Sequence, residues 1–292
     1  MKNHLFTGVA TALATPFNDK GVNIPEFEKF INFQIDSGID AIVVCGTTGE
    51  ASTMSQEEKI QVIQCAVSTA NKRIPVIVGT GSNDTTTSII NSIISEELGA
   101  DGLLIVTPYY NKTTQKGLIE HFKAIANSVT IPIILYNVPS RTGINILPET
   151  CYELSKIDNI VGIKEASGDI SQVAKIAKLC GSDFAIYSGN DDQIVPVMSL
   201  GGKGVISVIS NIKPKLTCSI TKSFLQGALE EACAYQLYEL PLIEALFTET
   251  NPIPIKAAIN MLGFDFGVPR LPLLECSESL KDTLRKYLKK EI

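Results

Sequence analysis

Asn159-Ile-Val-Gly-Ile-Lys164-Glu-Ala-Ser-Gly168 is a short apolar run that ends on a lysine and breaks at a glycine. The run is brief, rich in β-branched residues and bounded by turn chemistry, so it reads as a strand. Its apolar residues do not alternate with polar ones, as expected of a strand covered on both faces. A stretch with helical spacing, Ile170–Cys180, comes next. The unit is therefore a buried strand, a turn carrying polar residues, and a helix.

The same unit recurs along the chain. Further β-branched runs stand at Val9–Thr15, Ala41–Cys45, Val76–Thr80, Gly102–Thr107, Ile133–Asn137, Ala185–Ser188 and Gly204–Val208. With Ile160–Lys164 they make eight. Helical patterns follow at Pro25–Ser37, Ser55–Asn71, Thr85–Leu98, Thr114–Ser128, Pro148–Ser155, Gln193–Ser199 and Pro214–Gln226. Ser55-Gln-Glu-Glu58 has the form of a capping box. Eight strand-helix units predict an α/β fold, a closed (β/α)8 TIM barrel. An open doubly wound sheet satisfies the same pattern and stays as the alternative. After Gln226 the strand signals stop, and Ala228–Thr248, Pro254–Leu262 and Ser277–Lys290 read as helices. The expected division is a catalytic barrel over residues 1–226 and a C-terminal helical extension over 227–292, packed on the barrel or on a partner subunit.

The chain has 292 residues, 45% of them hydrophobic, ample for one large core. The net charge of −6 and a pI near 5.1 argue against nucleic acid as a partner. A small anionic substrate remains compatible, because a local arginine or a few backbone amides suffice to hold it. The 7 cysteines are scattered and mostly in apolar contexts, with no C-x-x-C. That usage fits buried thiols in a reduced, cytoplasmic protein. The stretch up to Pro16 faintly imitates a signal peptide, but its apolar part is short and interrupted by threonines, so it reads as the first strand. Ile194–Ile212 contains Pro196, Lys203 and several glycines, and reads as a helix, turn and buried strand rather than a membrane span.

In α/β barrels the chemistry sits at the carboxyl ends of the strands. The second strand ends Cys45-Gly-Thr-Thr-Gly-Glu50, where amides and the Thr47 and Thr48 hydroxyls suit an anion. An ordinary turn has the same composition. The fourth ends Thr107-Pro-Tyr-Tyr-Asn111, with Tyr109 and Tyr110 as packing residues or phenols for the site. The fifth ends Tyr136-Asn-Val-Pro-Ser-Arg141-Thr-Gly143, and an arginine fork there matches a carboxylate, although a surface ion pair would look the same. The sixth ends at Lys164. A lysine in water is an ammonium at neutral pH, water-poor surroundings disfavour the charge, and a neutral amine forms Schiff bases with ketones. A strand-end lysine pointing to solvent is the plain alternative. Lys164 shares a strand face with Gly162, whose small size is expected to leave room for a substrate.

Other chemistries are poorly supplied. Of the 2 histidines, His4 is terminal and His121 is expected to be a solvated helix residue beside Glu120 and Lys123, which disfavours a Ser-His-Asp triad or a histidine-rich metal centre. Gly79-Thr-Gly-Ser lacks the third glycine of a dinucleotide fingerprint, and Gly201-Gly-Lys-Gly204 lacks the spacing of a P-loop. Asp191 and Asp192 are expected to cap the following helix. No metal and no cofactor is called for.

Taken in order, Gly46-Thr-Thr-Gly-Glu50, Thr107-Pro-Tyr-Tyr-Asn111, Tyr136-Asn-Val-Pro-Ser-Arg-Thr-Gly143 and Gly162-Ile-Lys-Glu-Ala166 resemble the dihydrodipicolinate synthase family, from the first strand to the C-terminal helices. The resemblance implies a class I aldolase-like condensation of pyruvate with L-aspartate 4-semialdehyde, in the pathway to diaminopimelate and lysine. By that resemblance Lys164 would carry the Schiff base. Tyr136, Thr48 and Tyr110 would relay protons, with Tyr110 supplied by a neighbouring subunit. Thr47 and Thr48 would hold the pyruvate carboxylate, Arg141 that of the semialdehyde, and the carbonyls of Gly189 and Ile206 would line the pyruvate site. A homotetramer of paired tight dimers is also implied. N-acetylneuraminate lyase and other pyruvate-dependent aldolases of keto-deoxy sugar acids share the lysine and tyrosine and form the alternative. The Pro-Ser-Arg-Thr-Gly segment favours a short acidic aldehyde. At the positions matching the family's lysine-binding effector site stand Lys59, Asn83, Thr87 and Tyr109. Lys59 repels a cation and Thr87 offers no anion, so weak or absent inhibition by lysine is expected.

Overall fold

A computed structural model of the chain describes residues 4–288. Eight parallel strands close into a barrel, each paired with its sequence neighbours and the first paired with the eighth through Gly8 and Gly204. The strands are Gly8–Ala12, Ala41–Val44, Val76–Gly79, Gly102–Val106, Ile133–Asn137, Ile160–Glu165, Ala185–Ser188 and Gly204–Ser207. Closure excludes the open doubly wound sheet. Two strand runs coincide with the sequence reading, and the other six differ from it by a few residues at their ends. The first strand begins at Gly8 and stops at Ala12; just beyond it the Ala14 amide donates to the Asn211 side chain at 3.2 Å rather than to a neighbouring strand. Gly204 has φ +143°, and a Cβ there would lie 1.8 Å from the Gly8 carbonyl oxygen. Only glycine lets the two closing strands approach this way.

Near-continuous apolar strands have two buried faces and fill two cores. Inside the barrel Ala10, Val43, Ile77, Leu104, Ile134 and Ile206 interdigitate. The amino-terminal mouth is closed by Phe6 stacked on Tyr187, centroids 4.2 Å apart, with the Tyr187 hydroxyl donating to the Phe6 carbonyl at 2.8 Å. The outward residues meet the helix ring, where Phe27, Phe30 and Phe122 are buried.

The ring comprises Ile24–Asp36, Gln56–Ala70, Thr85–Glu97, Gln115–Ala126, Pro148–Ser155, Ile170–Cys180, Ile194–Ser199 and Pro214–Leu225. Ser55 and Glu58 form the expected reciprocal cap, at 3.2 and 3.0 Å. A two-stranded hairpin, Phe17–Asn18 with Gly21–Val22, and a single helical turn, Pro139–Thr142, have no counterpart in the sequence reading. Both are too short to show a period. The later helices are Leu229–Leu246, Ile253–Met261 and Glu278–Leu288. The expected end of the last one, at Lys290, lies outside the described residues. Phe264 and Phe266 carry this region onto the barrel, edge-on to Phe30 at 5.0 and 4.7 Å. Among the described residues no cysteine forms a disulfide, and 5 of the 7 are buried. Cys180 is half-buried, and Cys233 is exposed because it faces outward from Leu229–Leu246.

Candidate active site

A cavity of about 200 Å³ opens where the strands end, lined among others by Thr47, Thr48, Tyr136, Arg141, Lys164 and Gly189. Lys164 sits at its floor, 5% exposed. In the sheet it lies between Tyr136 of the fifth strand and Tyr187 of the seventh. Its Nζ stands 4.4 Å from the Tyr136 ring centroid, so the aromatic face supplies part of the amine's surroundings. No carboxylate lies within ion-pair distance of Lys164 among the described residues. Gly162 serves the sheet rather than the cavity: a Cβ there would lie 2.5 Å from the Ala185 carbonyl oxygen. The expected room for substrate is filled by the neighbouring strand.

The Gly46–Gly49 loop is bracketed by two non-glycine residues in left-handed backbone, Cys45 at φ 54° and Glu50 at φ 57°. Such conformations persist only where their surroundings hold them. Thr47 is exposed at the mouth and Thr48 buried. The Asn251 amide donates to the Thr48 hydroxyl oxygen at 3.0 Å, which leaves the hydroxyl proton available to another acceptor. Arg141 donates to the Asn251 carbonyl at 3.1 Å. One residue of the C-terminal region thus joins the second-strand turn to the arginine loop. Burial pushes the Cys45 thiol up to about 12, so this residue beside the mouth stays an unreactive thiol.

The arginine loop is anchored from the outer face of the barrel. Glu165, next to Lys164 but pointing the other way, accepts from the Asn137 side chain at 2.9 Å, from Gln172 at 3.0 Å and from the Ser167 amide at 2.7 Å. Asn137 in turn accepts from the Ile146 amide at 2.9 Å. The strand that presents the lysine therefore also fixes the loop that presents Arg141.

Two sequence expectations are corrected. Asp191 does not cap the helix that follows. It is buried, and its Oδ2 accepts from the Val208 and Ile209 amides at 3.0 and 2.9 Å, tying the seventh strand end to the eighth. Burial pushes its carboxyl up, while bonds from Ser207 and these amides and the Lys164 charge pull it back. Asp192 is exposed and makes no cap either. His121 is not solvated: it is 6% exposed, bonded to Thr85 at 2.9 Å and edge-on to Phe122. The helix turns it inward because the apolar face includes Leu118, Phe122 and Ile125.

Ile206 lies in the barrel interior, and Val208, two residues on, lines the cavity instead. Tyr110 is 91% exposed and is not among the residues that line this cavity. Lys59, Thr87 and Tyr109 line an adjoining cavity of about 420 Å³ that shares Thr47, Tyr136 and Arg141 with the first. Asn83 sits beside it, its carbonyl accepting from Asn111 at 2.8 Å. The sequence reading missed Asn251. Its only sequence signal is the Asn-Pro-Ile-Pro254 punctuation before a helix, which marks a loop and not a site.

The cavity combines a buried amine, a phenol, an amide-rich turn and a guanidinium. That set suits covalent capture of a ketone carrying a carboxylate, beside a second anionic reactant. The sequence pattern of the dihydrodipicolinate synthetase family matches residues 5–291. A 4-hydroxy-tetrahydrodipicolinate synthase of Clostridium acetobutylicum is 57% identical over 98% of this chain and 97% of its own. The crystal structure of a Thermotoga maritima dihydrodipicolinate synthase superposes with a TM-score of 0.97 at 42% identity, covering 98% of this chain and 99% of that one. A chloride-inhibited dihydrodipicolinate synthase from Acinetobacter baumannii, solved in complex with pyruvate, superposes at 0.95 with 42% identity and 98% coverage of both chains. With the barrel closed and the lysine, tyrosine and arginine at its carboxyl mouth, the chain belongs to the dihydrodipicolinate synthetase family and is an enzyme of the lyase class.

Proposed function

We propose that the chain condenses pyruvate with L-aspartate 4-semialdehyde to 4-hydroxy-tetrahydrodipicolinate through a Schiff base on Lys164. The observation that carries this is the buried Lys164 amine over the Tyr136 ring, in one cavity with Thr47, Thr48 and Arg141. The amides and hydroxyls of the Thr47–Thr48 turn hold the pyruvate carboxylate. The neutral amine adds to the ketone carbon, and loss of water leaves the imine. Removal of a methyl proton gives an enamine. Its carbon attacks the aldehyde, whose carboxylate is held by Arg141. The product's own amine then displaces Lys164 from the imine carbon and closes the ring. One water leaves overall, so the balance needs no oxidant or metal.

Tyr136 and Thr48 move the protons, with Tyr110 reaching them from a neighbouring subunit of a homotetramer. The 91% exposure of Tyr110 in one protomer supports that reading, since a phenol with this role needs a partner to cover it. The Gly189 and Ile206 carbonyls complete the pyruvate pocket. Residues 1–226 form the catalytic unit and 227–292 the helical region that braces it. The protein works in the cytoplasm. No helix among the described residues is long and apolar enough to cross a membrane.

The test is a product assay with purified protein and both substrates. Cyclic product is expected only when pyruvate and the semialdehyde are both present. Pyruvate turnover with a sugar aldehyde and none with the semialdehyde would contradict the proposal.

A further inference from the structure

The Gly46–Gly49 loop is held at its far end by a charge pair that the chemistry above does not use. Glu50 Oε1 lies 2.7 Å from Lys256 Nζ, and the two side chains are 2% and 1% exposed. Glu50 Oε2 accepts from the Arg270 amide at 2.8 Å, so both carboxylate oxygens are engaged. Lys256 Nζ stands 4.2 Å from the Phe17 ring centroid, and the Arg270 guanidinium covers the same ring at 4.0 Å. Arg270 is fixed in turn by Glu58, at 2.7 and 2.5 Å.

The pair joins residues 206 apart in sequence, and its acidic member is one of the two left-handed residues that bracket the loop. Lys256 lies five residues beyond Asn251, which bonds Thr48 and receives Arg141. One short segment of the C-terminal region therefore grips the loop at its middle and at its end. Burial pulls the Lys256 ammonium down to about 8 against the opposing pull of Glu50. A buried charge kept only by its partner suits a fixed point: losing either member strands the other without water.

We propose that Lys256 is a positioning residue for the pyruvate-carboxylate pocket, its ion pair with Glu50 holding the Gly46–Gly49 turn in the conformation that aims Thr47 and Thr48 into the cavity. Lys256 touches no reactant and acts only through the loop. The inference rests on the assignment of that turn to pyruvate, so the experiment separates the two.

Full-length Lys256→Met and Glu50→Gln are compared with the unaltered chain by two readouts. The first is hydrogen exchange of the peptide spanning residues 46–51 without ligand. The second is the pyruvate concentration giving half-maximal borohydride-trapped adduct. Loop exchange is expected to quicken in both variants. Half-saturating pyruvate is expected to rise at least tenfold in Lys256→Met and at least threefold in Glu50→Gln, while the KM for the semialdehyde moves less than threefold. Folded variants with lowered Tm but unaltered loop exchange and pyruvate dependence would overturn the proposal, leaving the pair a mere stabiliser. If Lys256→Met does not fold, Glu50→Gln decides alone, because glutamine keeps the side chain's size and one of its two acceptor oxygens while removing the charge. An unaltered chain that captures no pyruvate would refute the pocket's assignment, and loop exchange would still decide whether the pair holds the turn.

Discussion

In the role proposed for it, Arg141 separates substrate recognition from covalent chemistry. It lines the mouth of the cavity rather than its floor and is tied to the protein through the Asn251 carbonyl at 3.1 Å. Charge-assisted bonds contribute about 1.5–3 kcal/mol, so Arg141→Ala should lower kcat/KM for the semialdehyde roughly 10- to 100-fold. Capture of pyruvate at Lys164 should survive, as measured by peptide mass spectrometry after borohydride. Equal turnover in the variant would show that another group holds the second carboxylate. That Lys164, Tyr136, Thr48 and Arg141 line one cavity was legible in the sequence because each stands at, or a few residues beyond, the end of a recognisable strand. Asn251 and the Glu50–Lys256 pair were not, because they act across 203 and 206 residues of sequence and carry no local signature.

At the scale of elements, the strands were read from composition and the helices from period, and the weakest readings concerned polar residues on those elements. Asp191 sits before a helix, where capping is the common use of aspartate. The eighth strand end passes beside it and takes its carboxylate instead. Gly162 looked like space, but backbone from the adjacent strand fills it. His121 falls on a helix face that packs inward, and that has a thermodynamic consequence. Burial lowers its proton affinity, and the weaker pull of Asp84 does not reverse this. Below its ordinary pKa of 6.5 the unfolded chain binds a proton that the folded chain resists. Stability therefore falls as pH drops through that value. The fall in Tm between pH 7.5 and 5.5 should be larger for the unaltered chain than for His121→Gln, since both retain the similar contribution of His4. Equal falls would contradict the assignment.

For the whole molecule, the barrel and the C-terminal helices act as one machine. Phe30, Phe264 and Phe266 weld their apolar surfaces, while Asn251 and Lys256 reach the active-site turn. The adjoining cavity of about 420 Å³ is lined by Lys59, Arg141 and hydroxyl-bearing residues, with no carboxylate among its lining. Such a surface repels a cationic effector, so steady-state activity should change little at millimolar lysine. Inhibition at submillimolar lysine would contradict this reading of Lys59 and Thr87.

The central claim is that Lys164 is the nucleophile, and trapping tests it most directly. The protein is incubated with pyruvate, reduced with borohydride, digested and mapped by mass spectrometry. The account predicts one pyruvate-derived adduct, on Lys164, absent from Lys164→Arg. A folded protein with no adduct, or with the adduct on another lysine, would contradict it.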